Sequence, residues 1–142
     1  MLHTVADELD TLTPASLVAG YAERLATTLE AVGIDTAADE TGLDRATLSA
    51  VADGDVDALS LTDAAAIYGL AESTPDSEAI VLETRDHLLM GMTTAVLDVD
   101  AVAAELDVDL TGQEVQQAIE GRATLTLEEL AAIQAVIDGR EL

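Results

Sequence analysis

Two distant stretches of the chain repeat each other, and that repetition limits the fold more than any other feature. Residues 50–54 (AVADG) match residues 117–121 (QAIEG), and residues 59–67 (LSLTDAAAI) match residues 125–133 (LTLEELAAI). The offset is 67 at the glycines, Gly54 against Gly121, and 66 at the leucines, Leu59 against Leu125. The first copy therefore carries one extra loop residue. In both copies the apolar residues fall at helical spacing. A unit of ~40 residues cannot bury enough apolar surface to stand alone. Both copies must pack on shared helices.

The shared element is expected in residues 76–97 (DSEAIVLETRDHLLMGMTTAVL), the longest run without a break. Asp76 or Ser77 caps it. Ile80, Val81, Thr84, Leu88 and Met92 lie along one side, while Leu89, Met90 and Val96 widen the apolar surface. A helix apolar over so much of its girth is buried on more than one side. Residues 71–75 (AESTP) mark the break before it. Upstream, residues 1–10 hold a short helix, and Thr13-Pro14 is a hydroxyl cap followed by proline at the first helical position. Leu17, Tyr21, Leu25, Leu29 and Val32 then form a stripe that Gly33 stops.

Within residues 34–70 each position has a local reason. Ala38 lets two short helices cross closely, Gly42 supplies the positive φ of a tight turn, and Asp44 caps the next helix. Leu48 and Val51 plug the angle between the helices. ADETGLDRATLSAVADGD followed by LSLTDAAAIYGL resembles the helix-turn-helix domains of the lambda repressor and Cro type, over about forty residues. The second copy departs upstream: Asp109 stands for Gly42 and Glu105 for Ala38, so its turn is expected to be one residue longer. The whole chain also resembles an uncharacterised family of small acidic proteins from halophilic archaea.

Charge supports that source. The chain has 29 acidic residues, five arginines, no lysine and a formal charge of −24. Residues 1–75 and 76–142 each stand at −12. Such uniform repulsion destabilises a compact state in dilute buffer. Molar salt, with a Debye length of about 3 Å, makes it tolerable. Yet 49% of residues are hydrophobic, so this is not a disordered acidic tail. No cysteine is present, which removes disulfides and thiolate chemistry. No signal sequence and no ~20-residue apolar span is visible, so a cytoplasmic protein without membrane contact is expected.

The resemblance implies where nucleic acid would be met. In that class the second helix enters the major groove and its early residues touch bases. The matching positions are Arg45, Thr47 and Ser49 in the first copy, and Gln113, Gln116 and Gln117 in the second, with Arg122 placed for a phosphate. Against this stand Asp44, Asp53, Asp55, Asp57, Glu114 and Glu120 beside the same positions. Affinity for DNA normally comes from cations meeting phosphates. Molar salt weakens that objection, because counterion release then contributes little.

Other motifs lead to plain readings. Residues 53–57 (DGDVD) start like a calcium loop, but Ala58 and Ala64 occupy the positions of its glycine and bidentate glutamate. His87 lies one turn after Glu83, with no second ligand that spacing identifies, and reads as structural. Arg85 is expected to pair with Asp86. No nucleophile–base ordering or phosphate loop stands out, so neither an enzyme nor a cofactor is expected.

The expected fold is all-α: a compact bundle of about seven or eight helices, with two helix-turn-helix-like units flanking a central helix. Its halves are 1–75 and 76–142, packed as one globule. The leading functional expectation is a non-enzymatic, transcription-associated protein binding DNA at high salt. The competing one is an adaptor or homodimer that docks a protein partner through Leu88, Leu89, Met90 and Met92.

Overall fold

A computed structural model describes residues 2–71 and 76–140. Among them are eight α-helices and one 3-10 helix, His3–Glu8, and no strand longer than a single bridge. The helices are α1 (Pro14–Val32), α2 (Ile34–Thr41), α3 (Arg45–Ala52), α4 (Leu61–Tyr68), α5 (Ser77–Ala95), α6 (Val99–Glu105), α7 (Gly112–Ile119) and α8 (Leu127–Gly139). The bundle is all-α, as the periodicity requires. Of the break expected at 71–75, residues 72–75 lie outside the described part.

Local chemistry starts and stops these helices. Thr13 and Ser16 cap α1 reciprocally, and so do Thr111 with Glu114 on α7 and Thr126 with Glu129 on α8. Ser60, Asp76 and Asp98 each accept a backbone N–H at the start of α4, α5 and α6. Gly33 and Gly42 close α1 and α2 with φ of 91° and 77°. Asp44 precedes α3 but makes no side-chain cap. Ala37, rather than Ala38, is the fully buried residue of α2.

The second copy differs in its turn. Residues 42–44 join α2 to α3, whereas residues 106–111 join α6 to α7, an insertion longer than one residue. Asp109, which stands where Gly42 does, does not take a left-handed conformation, and α6 ends on an extended Leu106. A longer linker removes the need for a tight positive-φ turn.

The copies include the long helices as well. α1 and α5 are both 19 residues, and both are followed by a residue of positive φ, Gly33 at 91° and Val96 at 56°. Each half is therefore a long helix followed by three short ones. At the seam Ser60 and Thr126, equivalent positions, face each other in an antiparallel bridge. Leu61 donates its N–H to the Leu125 carbonyl at 2.7 Å, and Leu127 donates to the Leu59 carbonyl at 2.8 Å. Two hydrogen bonds that exchange equivalent residues define a pseudo-twofold axis. Packing follows the same symmetry, since α1 lies on α8 and α5 lies on α4. Each long helix thus rests on the last helix of the other half.

One continuous core results. Leu17, Tyr21, Leu25 and Ile67 from the first half join Ile80, Leu88, Ile119, Leu127, Leu130 and Ile133 from the second, all essentially solvent-free. Aliphatic side chains and alanines fill it around the buried Tyr21. Close helix contacts replace aromatic bulk, and burial of each Leu or Ile contributes about 1.5–3 kcal/mol.

Candidate functional site

The helices proposed to meet DNA are α3 and α7. Arg45 and Ser49 are exposed on α3 and Thr47 is half-buried; on α7 Gln113 and Gln116 are exposed and Gln117 is half-buried. Two of them already have partners inside the chain. Arg45 pairs with Asp35 at 2.6 Å, and the Gln116 amide donates to Glu120 at 3.0 Å. Arg122 also pairs with Glu120. Gln116 and then Arg122 hold the Glu120 carboxyl below its usual range. Exposed Asp44, Asp53, Asp55 and Asp57 surround α3, and exposed Asp107, Asp109, Glu114 and Glu120 surround α7.

The remaining arginines are engaged too. Arg24 binds Thr4 and Glu8 at 2.6 and 3.0 Å, and Arg140 binds Glu105. Arg85 departs from the expected pairing with Asp86. Its guanidinium donates to the carbonyls of Ile119 at 2.9 Å and Glu120 at 2.6 Å, the last turn of α7. A cation at a helix C-terminus satisfies orphan carbonyls and complements the helix dipole. Gly121 beside it has φ 78°, and a Cβ there would sit within 2.6 Å of Arg85 Nη2. The glycine of the second repeat is needed both for its backbone and for the space that Arg85 occupies.

A second arrangement gathers the chain's two histidines. His3 and His87 stack with ring centroids 4.6 Å apart. His87 Nε2 meets the Asp138 carboxylate at 2.8 Å. Gln134 connects this pair to the core: its amide donates to the His3 carbonyl at 2.8 Å and to Asp138 at 3.0 Å, and its oxygen accepts from the Tyr21 hydroxyl. Burial pushes the Tyr21 pKa up. Burial, then the neighbouring His87, pushes the His3 pKa down. His3 Nδ1 is buried without a hydrogen-bond partner among the described residues. The network ties the N-terminal 3-10 helix to α1, α5 and α8. Among the described residues no group of three or more acidic or imidazole side chains is placed to hold a metal ion. The structural reading of His87 therefore acquires a partner set that its sequence neighbours did not reveal.

The apolar surface of α5 divides in two. Ile80, Thr84, Leu88, Gly91 and Met92 face inward against α4, α7 and α8. Leu88 and Met92, expected in an interface, are thus core residues and cannot meet a partner. Leu89 and Met90 do face outward, 46% and 70% exposed, and Leu82 and Val96 join them at 55% and 90%. These are the exposed large apolar side chains of the described residues, and all belong to one helix and its cap. A shallow groove of about 310 Å³ between α4 and α5, lined by Val81, Leu82 and Arg85 among others, adjoins Leu82. Leu89, Met90 and Val96 were legible in the sequence as apolar surface of this helix, and Leu82 was missed. Their exposure was not legible, because the opposite side of the helix is equally apolar.

No single described helix is long and apolar enough to cross a membrane. The family described as a family of unknown function (DUF5791) matches residues 17–140. No curated protein and no solved structure matches the chain.

Proposed function

The chain belongs to the DUF5791 family, and we propose that it works as a helical protein-interaction module that docks a polypeptide on the outer face of α5 and makes no direct DNA contact. The observation that carries this reading is the contrast between two surfaces. All five arginines are engaged by partners within the chain, and carboxylates border α3 and α7. The large exposed apolar side chains are gathered on α5. Phosphate binding needs cations that are free to leave one partner for another. Exposed ion pairs are worth only about 0–1 kcal/mol, so pairing alone does not forbid it. The carboxylates around those arginines weigh against it, because a duplex would bring phosphates against them.

Exposed apolar side chains gathered on one helix mark interaction sites on otherwise polar surfaces. Titration of a fluorescein-labelled duplex library, followed by anisotropy in ~2 M KCl where electrostatics are screened, tests the reading. No saturable binding is expected, and Gln113→Ala and Arg45→Ala should change nothing. Saturable binding that Gln113→Ala abolishes would overturn it.

A further inference from the structure

Resting on that reading, we infer that the occupant of the α5 face is a second copy of this chain, packed antiparallel so that the twofold axis passes beside Leu89. Three observations lead there.

The first is spacing. Leu82 and Leu89 are separated by seven residues, two helical turns, and so lie on one stripe, and Val96, seven residues further on, is the left-handed cap at its end. A stripe symmetric about Leu89 maps onto itself when a second helix runs the opposite way. Leu89 then meets its own counterpart, and Leu82 meets Val96 of the other copy in both directions. The Val96 side chain lies over the groove beside Leu82, so each copy supplies one knob and one hole. Isologous interfaces require this self-complementarity.

Charge supplies the second. The N-terminal half of α5 carries Glu78, Glu83 and Asp86, whereas residues 87–97 contain no acid at all. A parallel pair would place each carboxylate beside its own copy. The antiparallel pair sets Glu83 opposite Ala95 and Asp86 opposite the region of Met92. Past residue 95 the chain turns away by 95° into α6, which removes the acids of α6 from the seam. In a chain of −24 that sorting determines whether self-association is tolerable.

The third comes from the repeat. With both N-caps and both positive-φ residues aligned, Leu82, Leu89 and Val96 of α5 correspond to Ala19, Ala26 and Gly33 of α1. The same fold position is therefore built with small residues in one copy and large apolar ones in the other, so folding alone does not demand the bulk. Val96 makes the point most sharply. It holds φ 56° and ψ 48°, a left-handed conformation that β-branched residues rarely adopt, where the aligned Gly33 has a positive φ of 91° with an extended ψ of 142°, yet the Val96 side chain is 90% exposed. Strain without burial within the chain is explained when the side chain is buried against a second chain.

The absence of cysteine allows a direct test of register with the full-length protein in ~2 M KCl, chosen for charge screening. Oxidation of single-cysteine variants is read as covalent dimer on non-reducing gels. Leu89→Cys should cross-link to itself. Leu82→Cys mixed with Val96→Cys should cross-link to each other, whereas Leu82→Cys alone should not, because its two copies lie ~20 Å apart and a disulfide needs Cα atoms within about 7 Å. Sedimentation should give twice the 14.7 kDa chain mass. Leu89→Glu should shift the protein to monomer with unchanged circular dichroism, raising the dissociation constant at least ~100-fold, as expected for two carboxylates meeting on the axis. Val96→Gly should weaken the dimer ~10-fold without loss of folding, by removing the knob. Self-linking of Leu82→Cys would overturn the antiparallel register. A monomer at all concentrations with no cross-link, or cross-linking only to another protein in a cell extract, would overturn self-pairing. Those outcomes leave the protein-docking reading intact; that reading falls to the DNA titration instead.

Discussion

Replacing Gly121 with alanine isolates a contact that joins the two halves. The substitution forces a Cβ onto a backbone at φ 78° and into the space held by the Arg85 guanidinium. The first effect costs about 1 kcal/mol, the usual penalty for a side chain at positive φ. The second is met by displacing a flexible side-chain end, so steric strain itself is small. The loss lies in the two hydrogen bonds from Arg85 to the carbonyls of Ile119 and Glu120. A charged donor contributes roughly 1.5–3 kcal/mol when buried, and less here because one of the two bonds is at the surface. Together, Gly121→Ala should destabilise by about 2–3 kcal/mol. Gly54 in the other copy is the internal control, with φ 92° and nothing within 4 Å of the would-be Cβ, and Gly54→Ala should cost only about 1 kcal/mol. Urea unfolding followed by circular dichroism in molar KCl measures both. In an Arg85→Ala background the cost of Gly121→Ala should fall to that of the control, a coupling of about 1–2 kcal/mol. Equal costs for the two glycines, or an unchanged cost without Arg85, would refute the clamp.

Further expectations follow from the core and from charge. Tyr21→Phe leaves the buried Gln134 oxygen without its hydroxyl donor and should lower stability by about 1–3 kcal/mol, measured by the same unfolding. Because the pKa of His3 is held below 6.5 in the fold, its contribution is present above that value and is lost as pH falls. Stability should therefore decline as pH falls below about 6.5, and His3→Asn should flatten that decline; an identical profile in the variant would exclude His3 as its source. Raising KCl from ~0.1 to ~2 M should increase the melting temperature, since the −24 charge is then screened over a few ångströms. A melting temperature independent of salt would show that self-repulsion does not limit this fold.

Short-range chemistry was the legible part of this sequence. Thr13-Pro14, Gly33, Gly42 and the repeated glycine loops fix the helix ends, because each acts on its own backbone or on the next turn. The inward side of α5 was legible in part, as Ile80, Thr84, Leu88 and Met92 recur at helical spacing, although Leu88 and Met92 were also assigned to a partner surface. What escaped depends on contacts between distant segments. Arg85 has Asp86 as its sequence neighbour but caps a helix 34 residues away. His87 finds its carboxylate 51 residues on and its stacking partner at the opposite end of the chain. The α6–α7 linker escaped for another reason: an aspartate in place of a turn glycine suggested the same turn weakened, where the chain instead uses a longer path. Nor could spacing decide which apolar residues of α5 face water, since Leu88 and Leu89 differ only by 100° around the helix.

The single bridge between Ser60 and Thr126 has a consequence for how such a protein diversifies. Each strand-like segment is completed by its own image, so the same closure would serve two identical shorter chains as well as it serves one long one. Covalent fusion lifts the obligation of identity. One long helix is then at liberty to become smooth and the other coarse, as the alanines of α1 and the leucines of α5 have done. A lone symmetric pair would have carried the same outer face twice; the joined chain confines it to a single side, and so limits how far association can propagate.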